Sequence, residues 1–158
     1  MQGKSEGFVR DIVLSSEAAT RALGAQIAAG LGRGDAILLG GDLGAGKTTL
    51  ARAVLRTLGV AESVPSPTFT LVQHYETPRL SVDHFDLYRI EEESEVDQLG
   101  LDEALAQGAA LIEWPERAGS LQPDDALRID LAVAGEDSRL ARITGPARWA
   151  PVFSGDFR

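Results

Sequence analysis

Gly41-Asp42-Leu43-Gly44-Ala45-Gly46-Lys47-Thr48-Thr49 follows directly on Gly40 and the short apolar run Ala36-Ile37-Leu38-Leu39. Gly41-x-x-x-x-Gly46-Lys47-Thr48 matches the pattern G-x-x-x-x-G-K-[ST] of the P-loop. The spacing has a chemical reason. Gly41, Gly44 and Gly46 let the backbone curl with its N–H groups pointing inward. Those donors, together with the positive end of a helix starting near Lys47, make a site for phosphate oxygens. Lys47 is placed to reach the β- and γ-phosphates, and the Thr48 hydroxyl to ligate Mg²⁺. A glycine-rich turn with no ligand is the plainer alternative, but strand, loop and helix signals stand here in the required order. The whole stretch from Gly41 to Thr49 is therefore read as nucleotide-binding.

Upstream, Phe8 to Leu14 reads as a strand, and Ser15 and Ser16 as N-cap candidates for a helix. Ala19, Leu23, Ile27 and Leu31 recur every four residues along that helix, and Gly30, Gly32 and Gly34 end it. Downstream of the P-loop, Leu50, Val54, Leu55 and Leu58 form the inner face of a second helix that stops at Gly59.

The next stretch, residues 61–70, is a proline-marked loop leading into a β-type run over Thr68–Tyr75. From spacing alone, Ser66-Pro67-Thr68 is most simply a turn fixed by prolines. Leu80 to Asp86 reads as a strand with Leu80, Val82, His84 and Asp86 on one face, which brings Asp86 to a strand end within range of the phosphates. Glu91–Asp97 reads as a solvated helix face or loop, and Leu99–Gln107 as one short helix closed by Gly108.

Ala109-Ala110-Leu111-Ile112-Glu113-Trp114-Pro115 is an apolar strand ending in an acid. Beside a P-loop, such an acid has the form of the second acidic element that holds Mg²⁺ directly or through water. A simple strand-end charge is the other reading of Glu113. Trp114 suits the core, or packing near the nucleotide. Leu127, Ile129, Leu131 and Val133, a turn at 135–138, and alternation from Leu140 to Thr144 predict a hairpin. The expectation is one domain over residues 1–145, with 146–158 as an irregular tail.

The 158 residues suit a single core. With 24 acidic and 15 basic residues, the net charge of −9 argues against direct gripping of nucleic acid. Zero cysteines exclude a disulfide framework and a thiolate metal site. No apolar run approaches a membrane span, and the first ten residues hold no long apolar stretch of the kind a signal peptide carries. A cytoplasmic location is the simplest expectation. The chain has no asparagine, so the guanine-reading N-K-x-D motif is absent and ATP is the favoured nucleotide. No L-S-G-G-Q stretch and no arginine-bearing lid are visible. A transporter-type ATPase and a small-molecule kinase are correspondingly less favoured.

Four blocks together carry a more specific signal: the P-loop, Ser66-Pro67-Thr68-Phe69-Thr70-Leu71-Val72, His84-Phe85-Asp86-Leu87-Tyr88-Arg89, and Glu113-Trp114-Pro115. In this order they closely resemble the TsaE (formerly YjeE) family. The resemblance implies an α/β fold, a single P-loop NTPase-like domain with a mixed-direction central sheet flanked by helices and a C-terminal β-hairpin.

It further implies a bacterial ATPase, with ATP and Mg²⁺ as cofactors, that supports threonylcarbamoyl modification of tRNA adenosine 37. In that family the protein works with TsaB and TsaD and does not transfer the group itself, so tRNA is met indirectly. Carried over by position, Lys47, Asp86 and Glu113 are the catalytic candidates, with Thr48 and Glu113 on the metal. Asp86 is expected to orient water. Ser66, Pro67 and Thr68 fall in a switch-like loop, against the plain-turn reading above. Trp114, Ser16, Glu17 and Thr20 fall near the nucleotide. The rival reading from another class is a nucleotide-dependent binding module without essential hydrolysis.

Overall fold

The computed structural model describes residues 7–61 and 63–154. Its centre is the pair β2 (Ala36–Gly40) and β5 (Gly108–Glu113), both buried along their whole length. Strands covered on both faces read as continuous apolar runs, which is why AILLG and GAALIE show no alternation.

Five more strands complete one sheet: β1 (Gly7–Leu14), β3 (Val72–Glu76), β4 (Ser81–Asp86), β6 (Leu127–Val133) and β7 (Arg139–Pro146). The spatial order is β1-β7-β6-β2-β5-β4-β3. The inner strands β6, β2, β5 and β4 run parallel, while β3, β7 and β1 pair antiparallel with their neighbours. The chain is thus an α/β domain with a seven-stranded mixed sheet, and β6–β7 form the expected hairpin.

Helices α1 (Glu17–Gly30) and α2 (Lys47–Thr57) cover one face. Their core joins Leu23, Ile27, Leu50 and Val54 to Ile37, Leu39, Leu111 and Ile129. Fully burying a Leu or Ile side chain contributes about 1.5–3 kcal/mol. The two helices approach closely at Gly24, where an added Cβ would stand 2.4 Å from that of Ala53. The Ser16 hydroxyl caps α1 by accepting from the Ala19 N–H at 3.2 Å. On the opposite face, α3 (Glu93–Gln98), α4 (Leu101–Gln107) and the 3₁₀ segment Pro115–Leu121 pack Val96, Leu101 and Ala118 against Leu38, Phe85 and Ile112.

Three expectations need correction. The β run begins at Val72 and not at Thr68, because residues 68–70 turn and Leu71 takes φ 70°, outside any strand. The acidic stretch 91–97, expected as a solvated helix face or loop, is largely the exposed helix α3, whose start the Glu95 carboxylate caps by accepting from the N–H groups of Glu91 and Glu92, with Val96 alone buried. The helix expected over Leu99–Gln107 starts only at Leu101, since Gly100 turns the chain at φ 84°.

The tail is not irregular either. Ala147–Phe153 forms a 3₁₀ segment that buries Trp149 and Phe153 in the α1-side core, with Phe153 stacked on Phe8 at 6.1 Å. Sequence alternation stops at Gly145, so nothing periodic marks those two rings as core. The rest of the expected tail, residues 155–158, lies outside the described residues, as does the start of the domain before Gly7.

Candidate functional site

The carboxyl ends of β2, β4 and β5 converge on the first turn of α2, the position where open α/β sheets hold ligands. Between β2 and α2 the chain turns through positive φ at Gly41 (132°), Gly44 (80°) and Gly46 (105°). At Gly41 there is also no room: a Cβ would lie 2.4 Å from the Leu131 carbonyl oxygen of β6. The loop closes with Ala45 N–H donating to Asp42 O, and α2 begins with Leu50 N–H donating to Gly46 O. Leu43 stands out into solvent.

Lys47 is buried, and its ammonium donates to the carbonyl oxygens of Gly41 at 2.5 Å and Asp42 at 2.9 Å. Burial pulls its pKa below 10.5, against the opposing pull of Glu113, Glu116, Asp86 and Asp42. The same ammonium lies 4.0 Å from the centre of the Trp114 ring. Trp114 reaches that place through a left-handed backbone (φ 57°, ψ 51°) immediately before Pro115. A non-glycine residue there carries about 1–3 kcal/mol of strain. The kink turns the indole over Lys47 while leaving Glu113 facing Thr48.

Glu113 and Asp86 are direct register partners on β5 and β4, so their side chains share a face. Both are almost fully buried. Glu113 receives the Thr48 hydroxyl at 2.9 and 3.0 Å on its two oxygens, and His84 Nε2 at 2.6 Å. Asp86 is engaged differently. Its Oδ2 accepts from Thr68 at 2.9 Å and from Ser66 at 3.5 Å, and its Oδ1 from the Tyr88 N–H at 3.0 Å. Ser66-Pro67-Thr68 is therefore tied to the strand end by its hydroxyls, while Pro67 is buried and the adjacent Phe69 is 81% exposed. The Arg89 guanidinium lies over the Phe69 ring at 4.4 Å.

Two cavities flank the first turn of α2. The smaller, about 180 Å³, brings Lys47, Thr48, Asp86, Glu113, Trp114 and the Ser66 and Thr68 side chains together with Leu43 and Gly44. The larger, about 540 Å³, is lined by Ser16, Glu17, Thr20, Gly46 and Thr49, by Asp137 from the β6–β7 turn and by Arg139 at the start of β7. Glu17 and Thr20 thus line a cavity beside the P-loop.

Arg139 and Asp137 were not legible in the sequence. Arg139 donates to the P-loop carbonyls of Ala45 at 3.1 Å and Gly44 at 3.2 Å, a contact across more than ninety residues that no local motif marks. His84 was placed on the right strand face, but its hydrogen bond to Glu113 depends on the β4–β5 register.

The donor set fits a hard divalent cation. Thr48 and Glu113 offer only oxygen, and among the described residues no group of three or more His, Cys, Asp or Glu could hold a metal. Mg²⁺ is held in this way, by one or two protein oxygens with phosphates and water completing its shell.

Residues 14–141 match the family described as Threonylcarbamoyl adenosine biosynthesis protein TsaE. The chain belongs to the TsaE family. It is 40% identical over 133 residues to the tRNA threonylcarbamoyladenosine biosynthesis protein TsaE of Rickettsia bellii, covering 84% of this chain and 92% of that protein. It is 42% identical over 121 residues to the protein of the same description from Bacillus subtilis, covering 76% of this chain and 75% of the relative. The crystal structure of Bacillus subtilis YdiB superposes with a TM-score of 0.78 at 30% identity, over 94% of each chain. This TsaE-family chain therefore has the P-loop NTPase-like fold its sequence predicts. Among the described residues no helix is long and apolar enough to cross a membrane.

Proposed function

We propose that this protein is a Mg²⁺-dependent ATPase that acts in threonylcarbamoyl modification of tRNA adenosine 37, together with TsaB and TsaD. The observation that carries the reading is the Thr48–Glu113 pair at the first turn of α2, beside Lys47 and below the P-loop. Family membership supplies the biosynthetic context.

In this reading the larger cavity takes the nucleoside, between the Ser16–Thr20 turn and Arg139, and the smaller one takes the terminal phosphate. The P-loop N–H groups and Lys47 hold phosphate oxygens and spread the charge that develops during transfer. Thr48 and Glu113 would hold Mg²⁺, which supplies neutralisation of the β- and γ-oxygens. Water oxygen bonds to the γ-phosphorus, the bond from γ-phosphorus to the β,γ-bridging oxygen breaks, and the products are ADP and inorganic phosphate. Asp86 is the residue to orient that water, once Thr68 and Ser66 yield its Oδ2.

Phosphate release from Mg-ATP, measured alone and with purified TsaB–TsaD, tests the proposal. Release that rises with the pair and is lost in Glu113→Ala supports it. Absence of release in every mixture overturns it.

One observation favours a second reading, a nucleotide-dependent binding module. The exposed Phe69 sits on the very loop whose hydroxyls hold Asp86, so a ligand at Asp86 would alter what the loop presents. Asp86→Ala that binds ATP and keeps pathway function, with hydrolysis lost, would select this module.

A further inference from the structure

The face of β4 that looks toward α2 carries Val82, His84 and Asp86 in succession, and Val82 and His84 are 0% exposed. Opposite them in register on β5 stand Ala109, Leu111 and Glu113. Val82, Ala109 and Leu111 belong to the apolar core. A leucine at position 84 would complete that layer with no polar atom to desolvate. An imidazole there loses its water on every side and must recover hydrogen bonds from the protein.

Only half of that recovery is seen. Nε2 lies 2.6 Å from Glu113 Oε2, whereas Nδ1 finds no hydrogen-bond partner among the described residues. A carboxylate only accepts, so Nε2 is the donor. The ring is thus held by one polar contact, and that contact is to the carboxylate facing Thr48.

The lone pairs of Glu113 show what the contact does. Oε2 receives both Thr48 and His84, while Oε1 receives Thr48 alone. One lone pair of Oε1 remains without a described donor, on the side chain that lines the smaller cavity. Rotation of the carboxylate about its terminal torsion is broad and roughly two-fold in an unconstrained glutamate. A donor on Oε2 from the strand behind it removes that freedom and sets which oxygen meets the cavity.

We propose that His84 is a positioning residue: through Nε2–H it locks the Glu113 carboxylate so that Oε1 is presented to a divalent cation or to its bound water. The inference rests on the metal role of Glu113 in the proposed function and adds the residue that orients it. Metal ligands commonly depend on such outer hydrogen bonds, and loss of one weakens metal affinity about 10- to 100-fold.

Mn²⁺ serves as the probe, its free concentration followed by electron paramagnetic resonance during titration of the full chain in the presence of ADP. ADP affinity in EDTA and the melting temperature are measured alongside. His84→Leu should weaken Mn²⁺ affinity about 10- to 100-fold while ADP affinity in EDTA stays within about two-fold of wild type. His84→Gln, whose amide nitrogen reaches about as far as Nε2, should recover most of the loss, and the shorter His84→Asn should not. That glutamine–asparagine contrast decides the matter even if the leucine variant does not fold.

Equal Mn²⁺ affinity in wild type and variants overturns the inference. So does a parallel loss of Mn²⁺ and metal-free ADP affinity, which would mark His84 as purely structural. If the wild-type protein with ADP binds no Mn²⁺, the metal reading of Thr48 and Glu113 fails, and the role of His84 falls with it.

Discussion

The Thr48 hydroxyl shares its hydrogen between the two oxygens of Glu113, at 2.9 and 3.0 Å, and so joins positions 65 residues apart in the chain. One partner opens the helix after the P-loop and the other ends the most deeply buried stretch of the sheet. A hydroxyl that donates to a carboxylate keeps its own lone pairs for a cation, and this geometry orders the expected effects of substitution.

Glu113→Gln keeps the shape and removes the charge. It should lower Mg²⁺ affinity in the presence of nucleotide by at least the roughly 10-fold that loss of an outer hydrogen bond to a metal ligand costs, with nucleotide affinity in EDTA preserved. Thr48→Ser should retain metal binding and Thr48→Val should lose it. Calorimetric titration with and without Mg²⁺ checks all three, and unchanged metal dependence in Thr48→Val would refute the assignment.

Lys47 sits against the Trp114 ring at 4.0 Å, and a phosphate competes with that ring and with the Gly41 and Asp42 carbonyls for the ammonium. Addition of ADP should therefore change tryptophan emission. Trp149 is 1% exposed in the α1-side core and lines neither cavity beside the P-loop, so Trp114→Phe should abolish the change. A response that survives Trp114→Phe would show that the ring does not report on Lys47.

His74 on β3 reaches Glu76 Oε1 at 2.5 Å and Asp83 Oδ1 on β4. Its pKa is raised above 6.5, first by the bond to Glu76 and then by that to Asp83. The pKa of Glu76 is lowered below 4.5, first by His74 and then by Ser81. A raised histidine contributes stability that is fully present below 6.5 and fades as pH rises through its folded value. A lowered carboxylate contributes stability present above 4.5 and lost as pH falls. The pair should hold the β3–β4 hairpin best between pH 4.5 and 6.5. The melting temperature of wild type minus that of His74→Gln should peak in this window, and a flat difference would contradict it.

Trp149 and Phe153 fill the space between β1, β7 and α1. Trp149→Ala should destabilise the fold by about 3–5 kcal/mol, the usual cost of removing a large buried aromatic ring. Urea denaturation measures it. A change below about 1 kcal/mol would mean that the segment 147–153 is not part of the cooperative core.

Much of the site is local and was therefore readable. The P-loop is nine consecutive residues whose glycines, lysine and threonine each answer one requirement of a bound phosphate. Its strand is a run with no alternation, its helix an apolar stripe, and Glu113 stands at a proline-marked strand end. Thr68 was harder: its neighbours favour a turn, and its bond to Asp86 depends on how the loop after α2 folds back over β4. For α3 the choice between a solvated helix face and a loop stayed open, because a single buried valine, Val96, is too little periodicity to decide it.

The sequence by itself determined that a P-loop pattern follows a buried strand, that its last strands form a hairpin, and which family it resembles, because these depend on residues close together in the chain. Only the tertiary structure decided the order β1-β7-β6-β2-β5-β4-β3, which sets Asp86 opposite Glu113 and His84 beneath it. It alone placed Arg139 on the P-loop and Trp149 in the core. Strand order and register are chosen by the packing of whole faces against the two helix layers, and no stretch of sequence carries that sum.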